Sequence, residues 1–227
     1  MRLDKFLSEC GFGTRSEVKT LIKKGLVSVN DNPVKDPGFA VDEASDKVVC
    51  KGSPVLYKKF TYYVLNKPQG YVCSKDESEG KTVYELLPKE YAKLNPVGRL
   101  DKDTEGILLF TDDGDLNHRL LSPKNHIWKT YDVLCEKDVT EEDLNKLREG
   151  VLLDDEMTLP AKAEYLDSTN HIALTICEGK FHQVKRMLAA TCNKVTALKR
   201  VSFGNLSLND LDLPVGEGKE IERKGIE

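Results

Sequence analysis

Apolar positions near the start of the chain recur at two spacings, which predict two short helices followed by a strand. Apolar side chains repeat at helical spacing through residues 3–10 and again through residues 18–22. Thr14 and Glu17 have the spacing of a capping box, in which both side chains cap the first turn of a helix. The continuous apolar run at residues 26–29 then predicts a strand.

From residue 60 onward the pattern changes to a series of short apolar runs, most of them of strand length. Strands are predicted at residues 61–65, 71–73, 96–100, 107–110, 129–135, 163–166, 171–177 and 195–201, and helices at 113–121, from 140, and at 183–191. These elements do not alternate as regular strand–helix–strand units. They therefore predict an α+β fold with a mixed, mostly antiparallel sheet.

The mixed-charge stretch at residues 42–59 lies between the two patterns and contains a Gly-Ser-Pro run. We interpret it as the connection between two domains. The expected organisation is a small, mainly helical domain with its linker at residues 1–58, followed by a larger domain at residues 59–227.

Composition narrows the class of protein. The chain has 227 residues, of which 39% are hydrophobic and 32% charged, as in ordinary soluble globular proteins. The longest uninterrupted apolar run, at residues 107–110, is too short to span a bilayer, so no membrane association is expected. Six scattered cysteines without a C-x-x-C pair indicate reduced thiols rather than a disulfide framework. We expect a cytoplasmic monomer.

The net charge of −4 conceals an uneven distribution. Residues 1–60 hold 11 basic and 8 acidic side chains, and residues 178–203 hold six basic side chains and one acidic. In the predicted second helix, Arg15, Lys19 and Lys23 fall on one face, with Arg2 and Lys5 on the preceding helix. Such local basic surfaces attract phosphate even when the whole chain is acidic.

The N-terminal segment RLDKFLSECGFGTRSEVKTLIKKGLVSVNDNPV resembles an S4 domain, an RNA-binding module found in a ribosomal protein and in several RNA-modifying enzymes. The resemblance implies that Arg2, Lys5, Arg15, Lys19 and Lys23 contact RNA. Asp31 stands where the family usually has glycine. Because aspartate tolerates a positive φ, we expect the turn to survive.

A candidate catalytic carboxylate, Asp101, follows a predicted strand and lies beside Arg99. From the residues alone, Asp101 is either a loop residue that caps a turn or a reactive group. Six carboxylates between residues 101 and 115 leave a metal-dependent nuclease as an alternative, and a non-catalytic RNA-binding protein as another. The histidines and cysteines lack metal-ligand spacing, so no metal site is predicted.

Three motifs resemble the RsuA-like pseudouridine synthases in order and spacing, over residues 60–221. They are NKPQG from residue 66, GRLDKDTEGILLFTDDGDLNHRLLSPKNHIWKTY from residue 98, and EGKFHQVKRMLAA from residue 178 with Leu198, Lys199 and Arg200 after it. The resemblance implies that the N1–C1′ bond of a uridine is cleaved and the uracil is rejoined through C5. An isomerisation needs no electron or group carrier, so no cofactor is expected.

The same resemblance assigns roles to residues. Asp101 is implied as the essential aspartate, which either attacks the sugar or promotes elimination at the ribose. Tyr131 is implied to pack against the target base and to move a proton, and Lys185 to face Asp101. The remaining RNA contacts are expected at Lys67, Arg99, His182, Gln183, Arg186, Lys199 and Arg200.

The expected partner is ribosomal RNA or a small-subunit assembly intermediate. The segment LLSPKNHIWKTY, followed by a short acidic helix, is most similar to the branch that acts on small-subunit (16S) rRNA. The large-subunit (23S) branch is the neighbouring alternative. One departure is Cys192, which stands where the family usually has glycine and makes the local turn geometry uncertain.

Overall fold

The computed structural model describes residues 1–226, without the side chain of Glu77. The chain divides into two compact units, and the boundary between them falls between Lys59 and Phe60. In the described residues no helix is both long enough and apolar enough to cross a bilayer.

The first unit, described throughout, packs two helices against a four-stranded antiparallel sheet with the strand order β2-β1-β3-β4. Its elements are α1 (Leu3–Glu9), α2 (Arg15–Lys23), β1 (Val27–Val29), β2 (Asn32–Pro33), β3 (Val48–Cys50) and β4 (Ser53–Val55). Thr14 and Glu17 form the predicted capping box at the start of α2. Asp31 takes a φ of 65°, so the turn adopts the positive φ that glycine would have supplied.

The interpretation of residues 42–59 as a connection was wrong. This stretch contains β3 and β4, and Val48 and Cys50 are buried in the core of the first unit. Val48, Val49 and Cys50 pair with β1. This apolar segment is only three residues long, and the charged residues on both sides of it favoured the prediction of a connection.

The second unit is built on a nine-stranded sheet. The strands of this unit are β5 (Tyr62–Lys67), β6 (Asn95–Pro96), β7 (Glu105–Thr111), β8 (Lys129–Cys135), β9 (Leu152–Leu153), β10 (Glu156–Met157), β11 (Lys162–Ser168), β12 (His171–Ile176), β13 (Val195–Phe203), β14 (Leu206–Ser207) and β15 (Gly218–Glu220). β9 and β10 pair with each other as a separate hairpin, and the other nine strands form the sheet. Its α-helices are α3 (Gly114–Leu121), α4 (Glu141–Glu149), α5 (Gln183–Ala190) and α6 (Leu208–Leu211), with 3-10 turns at Glu77–Glu79, Val83–Leu86, Lys89–Tyr91, Pro123–Asn125 and Arg223–Gly225.

The main path of this sheet runs β11-β12-β8-β13-β7-β5-β15, with β14 beside β13 and β6 beside β7. Among the described strands, β13 and β7 are the one pair that runs parallel. The predicted α+β fold with a mixed, mostly antiparallel sheet is therefore confirmed.

Both faces of the sheet are covered at its centre, which explains why β5 and β7 are continuous apolar runs. Leu65 and Leu108 point into one hydrophobic cluster, whereas Val64, Ile107 and Leu109 point into a second cluster. A strand buried on both faces loses the alternation of apolar and polar residues that a half-exposed strand shows.

Of two further predicted strands, one is absent and one is shortened, and both lie where the chain leaves the sheet. Residues 71–73 form no hairpin strand; Val72 makes a single bridge to Thr82. The strand predicted at residues 96–100 ends at Pro96, because Gly98, with a φ of 74°, turns the chain away from β7. The residues released in this way form the loop that carries Asp101.

Candidate active site

The backbone of the Asp101 loop is fixed by a buried lysine. Lys67, at the end of β5, is fully buried, and its Nζ donates hydrogen bonds to the carbonyl oxygens of Pro68 (3.1 Å), Asp101 (3.0 Å) and Thr104 (2.8 Å). Burial lowers the pKa of this lysine. Gly70 N also donates to Lys102 O at 2.7 Å, so the turn after β5 and the Asp101 loop are joined directly.

The carboxylate of Asp101 lies against a cation from α5. Lys185 Nζ is 2.8 Å from Asp101 Oδ2 and 2.6 Å from Asp103 Oδ1. Burial opposes the charge on Lys185, but its hydrogen bonds to Asp101 and Asp103 outweigh that effect and raise its pKa. The hydrogen bond from Lys185 also lowers the pKa of Asp103. His182 Nε2 lies 3.5 Å from Asp101 Oδ1 on the other side.

Asp101 opens onto a cleft of about 910 Å³ that has an aromatic and aliphatic wall. Tyr131, on β8, is 8% exposed and lines this cleft, as do Ile176, Val184 and Leu198. A flat aromatic surface beside a carboxylate suits a planar ring that is removed from its stack and held near a reactive group.

Two buried cations, Lys129 and Arg200, are among the residues that line the cleft. Lys129 Nζ donates to Ile127 O at 2.9 Å, and burial together with the nearby Arg200 lowers its pKa to about 8. Arg200 donates from Nε (2.9 Å) and Nη2 (2.7 Å) to Ile107 O. This contact joins β13 to β7 at their parallel pairing. Gly106, opposite Arg200 in that pairing, has a φ of 109°, and an added Cβ there would lie 2.1 Å from Arg200 O.

Comparisons with known proteins decide which family has this site. The sequence model of the RNA pseudouridylate synthase family matches residues 61–190, and that of the S4 domain matches residues 1–48. The chain belongs to the RNA pseudouridylate synthase family.

Relatives match the synthase along its whole length. It is 47% identical to an uncharacterised RNA pseudouridine synthase of Bacillus subtilis, in a match that covers 100% of this chain and 97% of that protein. It is 41% and 40% identical, over 100% of its length and 98% of theirs, to the ribosomal small subunit pseudouridine synthases A of Haemophilus influenzae and Escherichia coli. A crystal structure of a pseudouridylate synthase is similar with a TM-score of 0.68 and 38% identity, covering 99% of this chain and 97% of that one.

Three residues expected to contact RNA are buried and make hydrogen bonds within the protein. Lys67 holds the Asp101 loop, and Arg200 is 2% exposed with its guanidinium on a backbone carbonyl. Gln183 is 4% exposed; its Nε2 donates to Glu178 Oε1 at 2.6 Å and its Oε1 accepts from Lys180 N at 2.8 Å. The partners of Lys67 and Arg200 lie far away in sequence, at residues 101, 104 and 107, so motif position alone does not reveal that these two side chains are buried. The partners of Gln183 lie within five residues of it.

The other expected RNA contacts of the second unit remain accessible. Arg99 is exposed at the rim of the cleft, His182 is exposed beside Asp101, and Lys199 is half-buried on β13. Arg186 is also half-buried and pairs with Asp154 at 2.6 Å.

In the first unit all five expected RNA contacts are exposed, namely Arg2, Lys5, Arg15, Lys19 and Lys23. Some of their charge is balanced within the unit. Asp4 accepts two hydrogen bonds of 3.1 Å from Arg2 and lies 4.0 Å from Lys19 Nζ, and Lys5 Nζ is 3.6 Å from Glu9. The hydrogen bond from Arg2 lowers the pKa of Asp4.

The acidic residues between 101 and 115 serve separate purposes. Asp101 and Asp103 share Lys185, Asp112 accepts a hydrogen bond from Thr61 N at 2.7 Å, and Asp113 caps α3 through Leu116 N at 3.0 Å. Across residues 1–226, apart from the Glu77 side chain, no three His, Cys, Asp or Glu side chains group in a way that could hold a metal ion.

The sequence motifs did not single out two groups near Asp101, one of which lines the cleft and one of which pairs with a lining residue. Asp103 is a second partner of Lys185, and its spacing of two residues from Asp101 was the available signal. Phe181 is an exposed ring at the mouth of the cleft, next to the predicted His182.

Proposed function

We propose that this synthase converts one uridine of small-subunit ribosomal RNA to pseudouridine, with Asp101 as the catalytic group and without a cofactor. The observation that carries the proposal is the placement of Asp101 against Lys185 at a cleft walled by Tyr131. The small-subunit synthases of Haemophilus influenzae and Escherichia coli, at 41% and 40% identity over the whole chain, support this choice of RNA.

The reaction is an isomerisation in which every atom of the uridine is retained except for exchange of one proton. The N1–C1′ bond breaks, the uracil turns, a C5–C1′ bond forms, the proton on C5 leaves to solvent, and N1 takes up a proton in its place. Asp101 acts at the ribose, by attack or by elimination, and Lys185 balances the charge on its carboxylate. Tyr131 supplies the surface against which the uracil turns and moves a proton. An isomerisation needs no electron or group carrier, so the proposed reaction includes no cofactor.

The two parts of the chain have separate roles in this proposal. The S4-like part, residues 1–58, binds RNA through the exposed bases of α1 and α2, and the catalytic part, residues 59–227, holds the target uridine. Arg99 and His182 bind RNA next to the catalytic loop. The protein acts as a monomer in the cytoplasm, on ribosomal RNA or on a small-subunit assembly intermediate.

Release of tritium from RNA labelled at C5 of uridine tests the chemistry. The protein should release tritium from a small-subunit rRNA transcript, Asp101→Asn should release none above background, and Asp115→Asn, which changes an exposed acid on α3, should match the unaltered protein. Equal release by the Asp101 variant would remove Asp101 from the mechanism. Shortened RNA and loss of activity in chelator would indicate a metal-dependent nuclease instead. RNA binding without tritium release from small- or large-subunit rRNA would indicate a non-catalytic RNA-binding protein.

A further inference from the structure

An exposed aromatic pair lies at the mouth of the catalytic cleft. The Phe181 side chain is 69% exposed, compared with 40% for Phe39, 39% for Trp128 and 37% for Tyr165, the other aromatic residues among the exposed large hydrophobic side chains of the described part of the chain. Its ring stacks on the His182 ring with the centroids 3.7 Å apart and the planes at 22°. We call these two rings the aromatic shelf.

The aromatic shelf is held in place from both sides. His182 has a left-handed backbone with a φ of 49° immediately before α5, and its Nε2 lies 3.5 Å from Asp101 Oδ1. Phe181 O accepts a hydrogen bond from Arg186 Nη1 at 3.4 Å. The shelf is therefore attached to the catalytic carboxylate on one side and to α5 on the other.

Leaving a phenylalanine ring largely in water gives no stability to the fold, because apolar surface stabilises a protein when it is removed from water. The outward face of the ring is therefore available to another flat apolar surface. Nucleobases have such a face whatever their identity, and proteins that bind unpaired RNA stack bases on exposed aromatic side chains.

The charge around the shelf suits a nucleic acid. Arg99 and Lys102 are exposed at the same cleft, and neither has an ion-pair partner among the described side chains. Lys180 pairs with Glu156 at 2.5 Å, and Arg186 with Asp154. Two available cations beside an aromatic surface match the alternation of phosphates and bases along a single strand.

We propose that the aromatic shelf is a subsite for an unpaired nucleobase that adjoins the target uridine in the RNA. This inference rests on the proposed function, because the neighbouring base becomes available when the uridine leaves its stack and enters the cleft. The stacked neighbour holds the RNA in this open conformation. Phe181 is therefore a positioning residue and not a catalytic one.

The test compares Phe181→Ala, Phe181→Tyr and Leu166→Ala. Leu166 is a matched control because it is 47% exposed on β11 and does not line the cleft. Loss of one base–aromatic stack, worth about 1–3 kcal/mol, corresponds to a loss of affinity of about 5- to 150-fold. In the tritium-release assay with small-subunit rRNA, Phe181→Ala should raise KM by this factor with little change in kcat. Phe181→Tyr should restore KM, and Leu166→Ala should leave it unchanged.

A binding measurement separates this inference from the proposed function. Fluorescence anisotropy with a labelled single-stranded oligouridylate should show weaker binding to Phe181→Ala, whereas binding to an RNA duplex of equal length should not change. Absence of tritium release from the unaltered protein, together with this selective loss, would overturn the uridine chemistry and keep the shelf. An unchanged KM and unchanged oligouridylate affinity in Phe181→Ala would overturn the shelf and leave the surface to a protein partner.

Discussion

Replacing Lys67 with methionine removes the ammonium that holds the Asp101 loop while keeping a side chain of similar length. Three carbonyl oxygens, those of Pro68, Asp101 and Thr104, would lose a donor at 3.1, 3.0 and 2.8 Å. A buried polar group left without its partner costs about 1–3 kcal/mol. Three such costs would add up to about 3–9 kcal/mol. This is an upper bound, because Asp101 O keeps a hydrogen bond from Thr104 N at 3.1 Å and because methionine also removes the cost of burying a charge, the same cost that lowers the pKa of Lys67. We expect the free energy of unfolding to fall by about 2–4 kcal/mol.

The same substitution should reduce activity, because the loop that it loosens positions Asp101. A displacement of a catalytic group by about 1 Å costs on the order of 100-fold in rate. Urea unfolding measures the change in stability, and tritium release at a temperature where the variant is folded measures kcat. Lys93→Met, which changes an exposed lysine, should alter neither quantity. A Lys67→Met protein that loses less than about 0.5 kcal/mol, the usual range for surface changes, and keeps full kcat would refute the assigned role of Lys67.

Three further predictions concern stability. Lys129 has a pKa of about 8 in the folded protein against an ordinary value of 10.5, so between those pH values the unfolded chain binds more protons than the folded one. The free energy of unfolding should therefore rise with pH, by about 1–2 kcal/mol from about pH 7 to 9.5 relative to Lys129→Met. Urea titrations at both pH values measure this change. Gly106→Ala should lower the free energy of unfolding by at least about 3 kcal/mol, because its Cβ would lie 2.1 Å from Arg200 O. Gly114→Ala, whose Cβ would have nothing within 4 Å, should unfold like the unaltered protein in the same thermal unfolding measurement. Cys192→Gly should raise the free energy of unfolding by up to about 1 kcal/mol, because Cys192 has a φ of 59°, which glycine adopts more readily. A decrease in the free energy of unfolding would contradict the idea that the backbone is strained at this position.

Features fixed by neighbours in sequence could be predicted. The capping box of Thr14 and Glu17, the positive φ tolerated by Asp31, and the helix that begins at Gln183 all depend on residues within one or two turns. Asp101 and Lys185 were both identified through motifs, and the structure brings their side chains within 2.8 Å.

Features fixed by distant partners were misjudged. The sequence places Lys67 beside a Pro-Gly turn, which is typical of an exposed cation. In the structure its ammonium is buried and binds the carbonyl oxygens of residues 101 and 104, which lie 34 and 37 residues further along the chain. Arg200 lies in a basic run, but its partner is Ile107 on a strand 93 residues away. The strand β3 is three residues long, so its pairing with β1 decides its structure more than its own composition does.

The central claim is that this chain forms a pseudouridine in small-subunit rRNA through Asp101. Carbodiimide modification followed by primer extension locates pseudouridines along rRNA from cells that lack the gene and carry either the unaltered protein or Asp101→Asn. We predict that one small-subunit site is lost on deletion, returns with the unaltered protein and stays absent with Asp101→Asn. Unchanged small-subunit signals in the deletion strain, or a site restored by Asp101→Asn, would contradict it, and loss of a large-subunit site instead would assign the enzyme to 23S rRNA.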